Sequence, residues 1–185
     1  MNEISLHILD IAENSIAAGA TRIGIEVVED TARDSMTVAI TDDGCGMDSE
    51  QAARAEDPFT TSRSTRKVGL GIPLFKAGCL GCEGNFEIKS APGAGTAVRG
   101  SYRLSHVDRP PLGDIAGTVF LLIASNPALD IRYRHMSDGK LCELDTAEVR
   151  SALGEVPLDN PDVLEWLRQN LIDMENDLHG GATIQ

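Results

Sequence analysis

LHILDIAENSIAAGAT, residues 6–21, carries the pattern from which the fold is read. Apolar residues Ile4, Ile8, Ile11 and Ala12, then the Ser15/Ile16 pair, recur at steps of three and four, the mark of an amphipathic helix. Gly19 is placed to end it, because glycine takes the left-handed conformation of a helix stop. Asp10 and Asn14 are four residues apart and share one face, with His7 three residues before Asp10. A carboxylate and an amide side by side on a packed helix can position a water and a metal ion. They can equally form a solvated polar stripe, and the rest of the chain decides between the two.

Acidic residues outnumber basic ones 29 to 16, a formal charge of −13 that repels phosphate backbones and anionic membranes. Neither nucleic acid nor a membrane surface is therefore expected as a partner. The longest apolar stretch, Val119 to Ala124, is far too short to span a bilayer, and no signal-peptide pattern opens the sequence. The expectation is a soluble, cytoplasmic protein. Its 185 residues suffice for one large domain, or for a domain with a small appendage. Of the cysteines Cys45, Cys79, Cys82 and Cys142, only Cys79 and Cys82 form a C-x-x-C pair, and no second pair completes a zinc site. They read either as buried reduced thiols or as a redox pair.

Working outward from the helix, RIGIEVVE (22–29) and MTVAIT (36–41) alternate apolar and polar residues and predict a hairpin. DDGCGM (42–47) is a glycine-punctuated loop, followed by a short helix over 48–56 that Asp48 or Ser49 can cap. DPFTTSRSTRK (57–67) has no periodicity, and VGLGIP (68–73) leads into an apolar helix ending among Gly78, Gly81 and Gly84. Strands at 85–90 and 96–104 flank the turn APGAG (91–95). SHVDRPPLG (105–113), with its two prolines, marks a boundary or rigid link. Beyond it come a helix over 114–124, a hairpin of 130–135 with 141–144, and a helix opened by Asp145 and Glu148. A last helix is capped by Asn160, with Pro161 at its first position.

Four pieces need one explanation: the Asp10/Asn14 helix, DDGCGM, the Ser/Thr/Arg-rich loop ending in VGLG, and PGAGT. No G-x-x-x-x-G-K-[ST] occurs, which excludes a P-loop. Glycine lets backbone approach a ligand. A carboxylate such as Asp42 accepts hydrogen bonds only, and so can take the amino proton of a purine. Amides at the start of the helix after Gly69-Leu70-Gly71 can take phosphate oxygens. Arg63, Arg66 and Lys67 bring positive charge close by, unless they simply lie on a solvated loop.

These motifs resemble the GHKL superfamily of ATPases and kinases, in order and with matching spacing. Asp10-x-x-x-Asn14 resembles the N box, and Asp42-Asp43-Gly44-Cys45-Gly46 the D-x-G-x-G box. Asp57-Pro58-Phe59-Thr60-Thr61 resembles the histidine-kinase F box, while Gly69-Leu70-Gly71 and Gly93-Ala94-Gly95-Thr96 are similar to the two later glycine boxes. The likeness spans roughly residues 4–104. It implies an α/β two-layer sandwich of the Bergerat type, a mixed sheet with helices on one face, over residues 1–106. A small α+β extension of helix, hairpin and two helices would occupy 107–185.

By the same resemblance, Asn14 would coordinate Mg²⁺ and Asp42 would read the adenine amino group of ATP. Gly44 and Gly46 would let the base approach, and Thr96 would add to its contacts. Thr60, Thr61, Ser62, Arg63 and the residues through Lys67 would form a lid, with Gly69, Leu70 and Gly71 at its hinge and phosphate end. Hydrolysing branches usually carry Glu where this chain has Asp10, which would serve as the catalytic base with a shorter reach. No phospho-accepting hairpin precedes the domain in this sequence, so a complete sensor histidine kinase is not expected. The whole chain looks like small ATP-binding proteins of anaerobes encoded near iron-hydrogenase subunits. This implies an ATPase or ATP-dependent switch with a hydrogenase-related protein partner. Two alternatives are a serine/threonine kinase of the anti-sigma-factor type and a nucleotide-binding module without chemistry. The tail either packs on the sheet or offers a docking surface.

Overall fold

A computed structural model of the chain describes residues 3–57 and 70–180. Helix α1 (Ile4–Ala17) buries Ile4, Ile8, Ile11 and Ala12 together with Ser5, His7 and Ser15. It ends in a Schellman closure, with Gly19 at φ +75° and the amides of Gly19 and Ala20 donating to Ile16 O (3.0 Å) and Ser15 O (3.1 Å). Among the described residues its start has no side-chain cap. Instead, the Ile4 and Ser5 amides donate to Pro111 O (3.0 Å) and Leu112 O (2.8 Å), so the proline-rich connection satisfies the first helical N–H groups.

Strands β1 (Arg22–Asp30) and β2 (Ser35–Asp42) form the expected hairpin. Helix α2 (Ser49–Ala55) is capped by Asp48 through a full capping box with Gln51. Helix α3 (Gly71–Gly81) is followed by β3 (Phe86–Ser90) and β4 (Thr96–Arg103). Then come α4 (Ile115–Ser125), β5 (Asp130–Ser137), β6 (Lys140–Asp145), α5 (Thr146–Leu153) and α6 (Pro161–Leu178). Asn160 caps α6, with Pro161 in its first turn.

The six strands make one mixed sheet in the order β3-β4-β2-β1-β5-β6. Every pairing is antiparallel except β1 with β5. Period-two alternation sends one set of side chains to a single face. Val98, Ile40, Ile25, Tyr133 and Leu144 lie in one continuous row across five strands. Helices α1, α3, α4 and α6 cover that face, α1 touching α3 and α4, and α4 touching α6. The opposite face carries Glu26, Arg134, Arg132 and Glu143, joined by ion pairs of 2.6–3.1 Å and open to solvent. This is the two-layer, one-sided architecture expected. Residues 107–180 supply two strands of the same sheet and three of its helices; their hairpin joins through β5 lying parallel on β1.

Candidate functional site

Asp42 is the last residue of β2 and pairs with Ile23 and Thr96, which places its side chain on the helix-covered face. Its Oδ1 accepts the amides of Gly44 (2.9 Å) and Thr96 (3.2 Å), and its Oδ2 accepts the Ser15 hydroxyl (2.6 Å). One carboxylate is thus held by α1, by its own loop and by β4. Its two oxygens offer about four lone-pair positions, so three donors leave Oδ2 one acceptor direction. Ser15 follows Asn14 in α1, so the helix that carries the amide motif also holds the Asp42 carboxylate.

The D-x-G-x-G loop and the later glycine turn form one unit. The Cys45 amide donates to Ala18 O (3.0 Å) at the end of α1, and Cys45 O accepts the Gly93 amide (2.7 Å). Gly46 and Gly95 both have positive φ, +67° and +76°, and a Cβ on either would come within 1.9 Å of a backbone oxygen of the facing loop. Only glycine closes this pair of turns. At their centre the Ser90 hydroxyl donates to Gly95 O (2.9 Å), accepts the Met47 amide (2.8 Å) and pairs with Thr96 Oγ1 (2.9 Å). Since Ser90 spends its one proton on Gly95, Thr96 is the donor in that last pair.

Asp43 points the other way. It accepts the Thr21 amide (2.7 Å), the Thr21 hydroxyl (2.6 Å) and the Arg22 amide (2.8 Å), tying the loop to the start of β1. The Thr21 hydroxyl, followed by the backbone donors, lowers its carboxyl from 3.8 to about 2.

Asp10 lies one turn before Asn14, half-buried, and packs on Gly71 at the head of α3. Leu70 is the N-cap of α3, exposed, with no side chain capping the helix among the described residues. Among the described residues no side chain caps the amides of its first turn, an arrangement that suits an anion, and Pro73 at the third position has no amide to offer. Asn14 is half-buried, and its Nδ2 has no hydrogen-bond partner among the described residues. His7 is buried between α1 and α3 against Phe75, with ring centroids 6.2 Å apart. Burial pushes its pKa down, so it is a neutral core histidine here.

Asp42, Gly44, Gly46, Thr96 and Asn14 therefore gather at one end of the sheet, with Asp10, Leu70 and Gly71 along the adjoining α1–α3 seam. Thr60, Thr61, Ser62, Arg63, Lys67 and Gly69 lie outside the described residues. Sequence reasoning missed Ser15, Ser90 and the anchoring role of Asp43. Ser15 falls on the apolar stripe and reads as core; its only signal is that it adjoins Asn14. Cys79 and Cys82 are free buried thiols, and burial pushes Cys79 up to about 11, so it is not poised for redox exchange at neutral pH.

The chain is 32% identical over 111 residues to the non-motile and phage-resistance protein of Caulobacter vibrioides, covering 55% of this chain and 13% of that protein. It is 34% identical over 91 residues to the sensor protein kinase FleS of Pseudomonas aeruginosa, covering 49% of this chain and 22% of that one. The chain thus spans under a quarter of the length of these curated relatives. Among solved structures, the Aquifex aeolicus MutL ATPase domain complexed with ADP is similar in fold, with TM-score 0.51 and 12% identity over 91% of this chain and 88% of that one. The family of histidine kinase-, DNA gyrase B-, and HSP90-like ATPases matches residues 2–106, the span that holds the α1 helix, both glycine loops and the head of α3. With more than half of its length matched, the chain belongs to that family.

Proposed function

We propose that this chain binds ATP with Mg²⁺ between α1, the 42–47 loop and the head of α3, and works as a slow ATPase or ATP-dependent switch on a partner protein. The observation that carries the reading is the Asp42 carboxylate, fixed by three donors from three elements with one acceptor direction left. That is the requirement for taking an adenine amino proton without reorganisation. Gly44 and Gly46 let their loop close against Ala18 and Ala91 beside that carboxylate, and Thr96 is anchored there through Ser90.

Asn14 fits a cation. Its buried Nδ2 has no partner among the described residues, and turning the amide over places the oxygen there instead. A single amide oxygen suits Mg²⁺, which keeps water and phosphate oxygens as most of its ligands. Bound there, the ion would neutralise phosphate charge. The uncapped amides at Gly71 and Ile72 would take phosphate oxygens, and Asp10, beside Gly71, would accept the proton of an attacking water.

A hydrogenase-related partner is supported only by the likeness to hydrogenase-associated ATP-binding proteins. The test is to incubate purified protein with γ-labelled ATP and Mg²⁺. Slow release of phosphate, abolished in Asp10→Asn with ATP still bound, is the expected result. Label appearing instead on a co-purifying protein would make the chain a kinase. Mg²⁺-dependent ATP affinity unchanged in Asn14→Ala would remove the metal assignment.

A further inference from the structure

The other end of the sheet holds a cluster that nucleotide binding does not use. His135, on β5, is 0% exposed, and its Nδ1 lies 2.9 Å from Glu175 Oε2 of α6. Glu175 also accepts the Tyr133 hydroxyl at 2.7 Å and lies 3.5 Å from Cys142 Sγ. With Nδ1 turned to the Glu175 carboxylate, Nε2 is the ring nitrogen left to act as a ligand. That Nε2 is buried and has no hydrogen-bond partner among the described residues. An unsatisfied buried nitrogen is costly, and its surroundings indicate what satisfies it.

Glu29 of β1, His135 and His179, at the end of α6, each bring one ligand atom to within 4.8 Å of the others. The two imidazole rings stand 5.5 Å apart, and His179 Nε2 is 3.9 Å from Glu175 Oε2. We propose that Glu29, His135 and His179 form a binding site for one divalent transition-metal ion of the zinc class, with Glu175 orienting His135. Two imidazoles and a carboxylate suit Zn²⁺, Co²⁺ or Fe²⁺, whereas Mg²⁺ and Ca²⁺ take oxygen ligands. A carboxylate on the far nitrogen of a ligating histidine is the usual outer support of such a site.

Ligand atoms around a tetrahedral ion lie about 3.3 Å apart, so closure needs an inward movement on the order of 1 Å. His179 follows the last residue of α6 and lines an open pocket of about 310 Å³ with Ser137, Asp138 and Lys140, which gives both freedom to move and an entry path. Ser137 Oγ reaches Glu29 Oε2 at 3.3 Å, leaving the other carboxylate oxygen for the ion. The site would clamp the end of α6 to β1 and β5. Glu29 is separated from Ile23, the β1 partner of Asp42, by about 20 Å of strand. The two sites are independent.

The test uses the full chain stripped with a chelator and titrated with Zn²⁺ against a chromophoric competitor, with Co²⁺ absorption as a second readout. One equivalent is expected to bind, raise the thermal midpoint and give the visible bands of Co²⁺ bound by imidazole and carboxylate. His179→Ala, at a partly exposed helix end where folding is not at stake, should abolish the tight equivalent. Glu175→Gln should weaken it by roughly 10–100-fold. Asn14→Ala should leave it intact. The proposal fails if wild type and His179→Ala bind Zn²⁺ alike, or if wild type shows no tight equivalent and an unshifted midpoint.

Discussion

Asp10 lies against Gly71 so closely that a Cβ at position 71 would come within 2.6 Å of Asp10 Cβ and 3.2 Å of its Oδ2. The contact joins the middle of α1 to the head of α3, where the described chain resumes after residue 57. It explains why the residue at the mouth of that helix is glycine without invoking unusual backbone angles. Gly71→Ala should cost about 1–3 kcal/mol in urea unfolding by overpacking the seam. A variant as stable as wild type would mean that α1 and α3 are not pressed together here.

Ser15 supplies the α1 hydrogen bond to Asp42. A hydrogen bond to a charged group is worth about 1.5–3 kcal/mol, so Ser15→Ala should weaken ATP binding by roughly 10–150-fold if Asp42 loses its position. Titration calorimetry on the variant is the check. Ser15→Thr keeps the hydroxyl and should retain most of the affinity.

The two glycines of the later turn should respond differently. Gly93 has positive φ but nothing within 4 Å of an added Cβ, so alanine there should cost only the left-handed penalty of about 1–2 kcal/mol. Gly95 adds a collision at 1.9 Å with Asp42 O, and Gly95→Ala should be more destabilising and disturb the Asp42 carbonyl. Equal thermal midpoints for the two variants would contradict the packing of the loops.

Asp43 gives a pH signature. Its carboxyl falls from 3.8 to about 2 on folding, so the folded state favours its anion. The stabilisation is complete above about pH 4 and is lost as the pH falls from 3.8 toward 2. Because Asp43 is exposed, solvent screening keeps the contribution on the order of 1 kcal/mol or less. Asp43→Asn should therefore flatten the acid limb of the stability curve in that window and leave its slope above pH 5 unchanged, as followed by urea midpoints across pH.

The elements were legible because their signals are local. Ile4, Ile8 and Ile11 mark α1, alternation marks β1 and β2, and Asn160-Pro161 opens α6 at the residue where the structure opens it. The corner of the site was legible through glycine, since Gly46 and Gly95 stand where no other residue fits. The pairing of β5 with β1 was not, because strand partners more than 100 residues apart leave no mark in either local pattern. Ser15 was hidden for the opposite reason: a hydroxyl at a core-facing helix position has the periodicity of the apolar residues around it. Glu29, His135 and His179 are likewise scattered along the chain and meet only after the sheet is assembled.

The central claim is that Asp42 reads an adenine amino group, and the most direct measurement compares ATP with inosine triphosphate, which lacks that group. In titrations with Mg²⁺, wild type should bind ATP at least about tenfold more tightly, the loss of one well-placed hydrogen bond to a charged group. Asp42→Asn should bring the two affinities together by weakening ATP. Equal affinity of wild type for both nucleotides, or an ATP preference that survives in Asp42→Asn, would contradict the assignment.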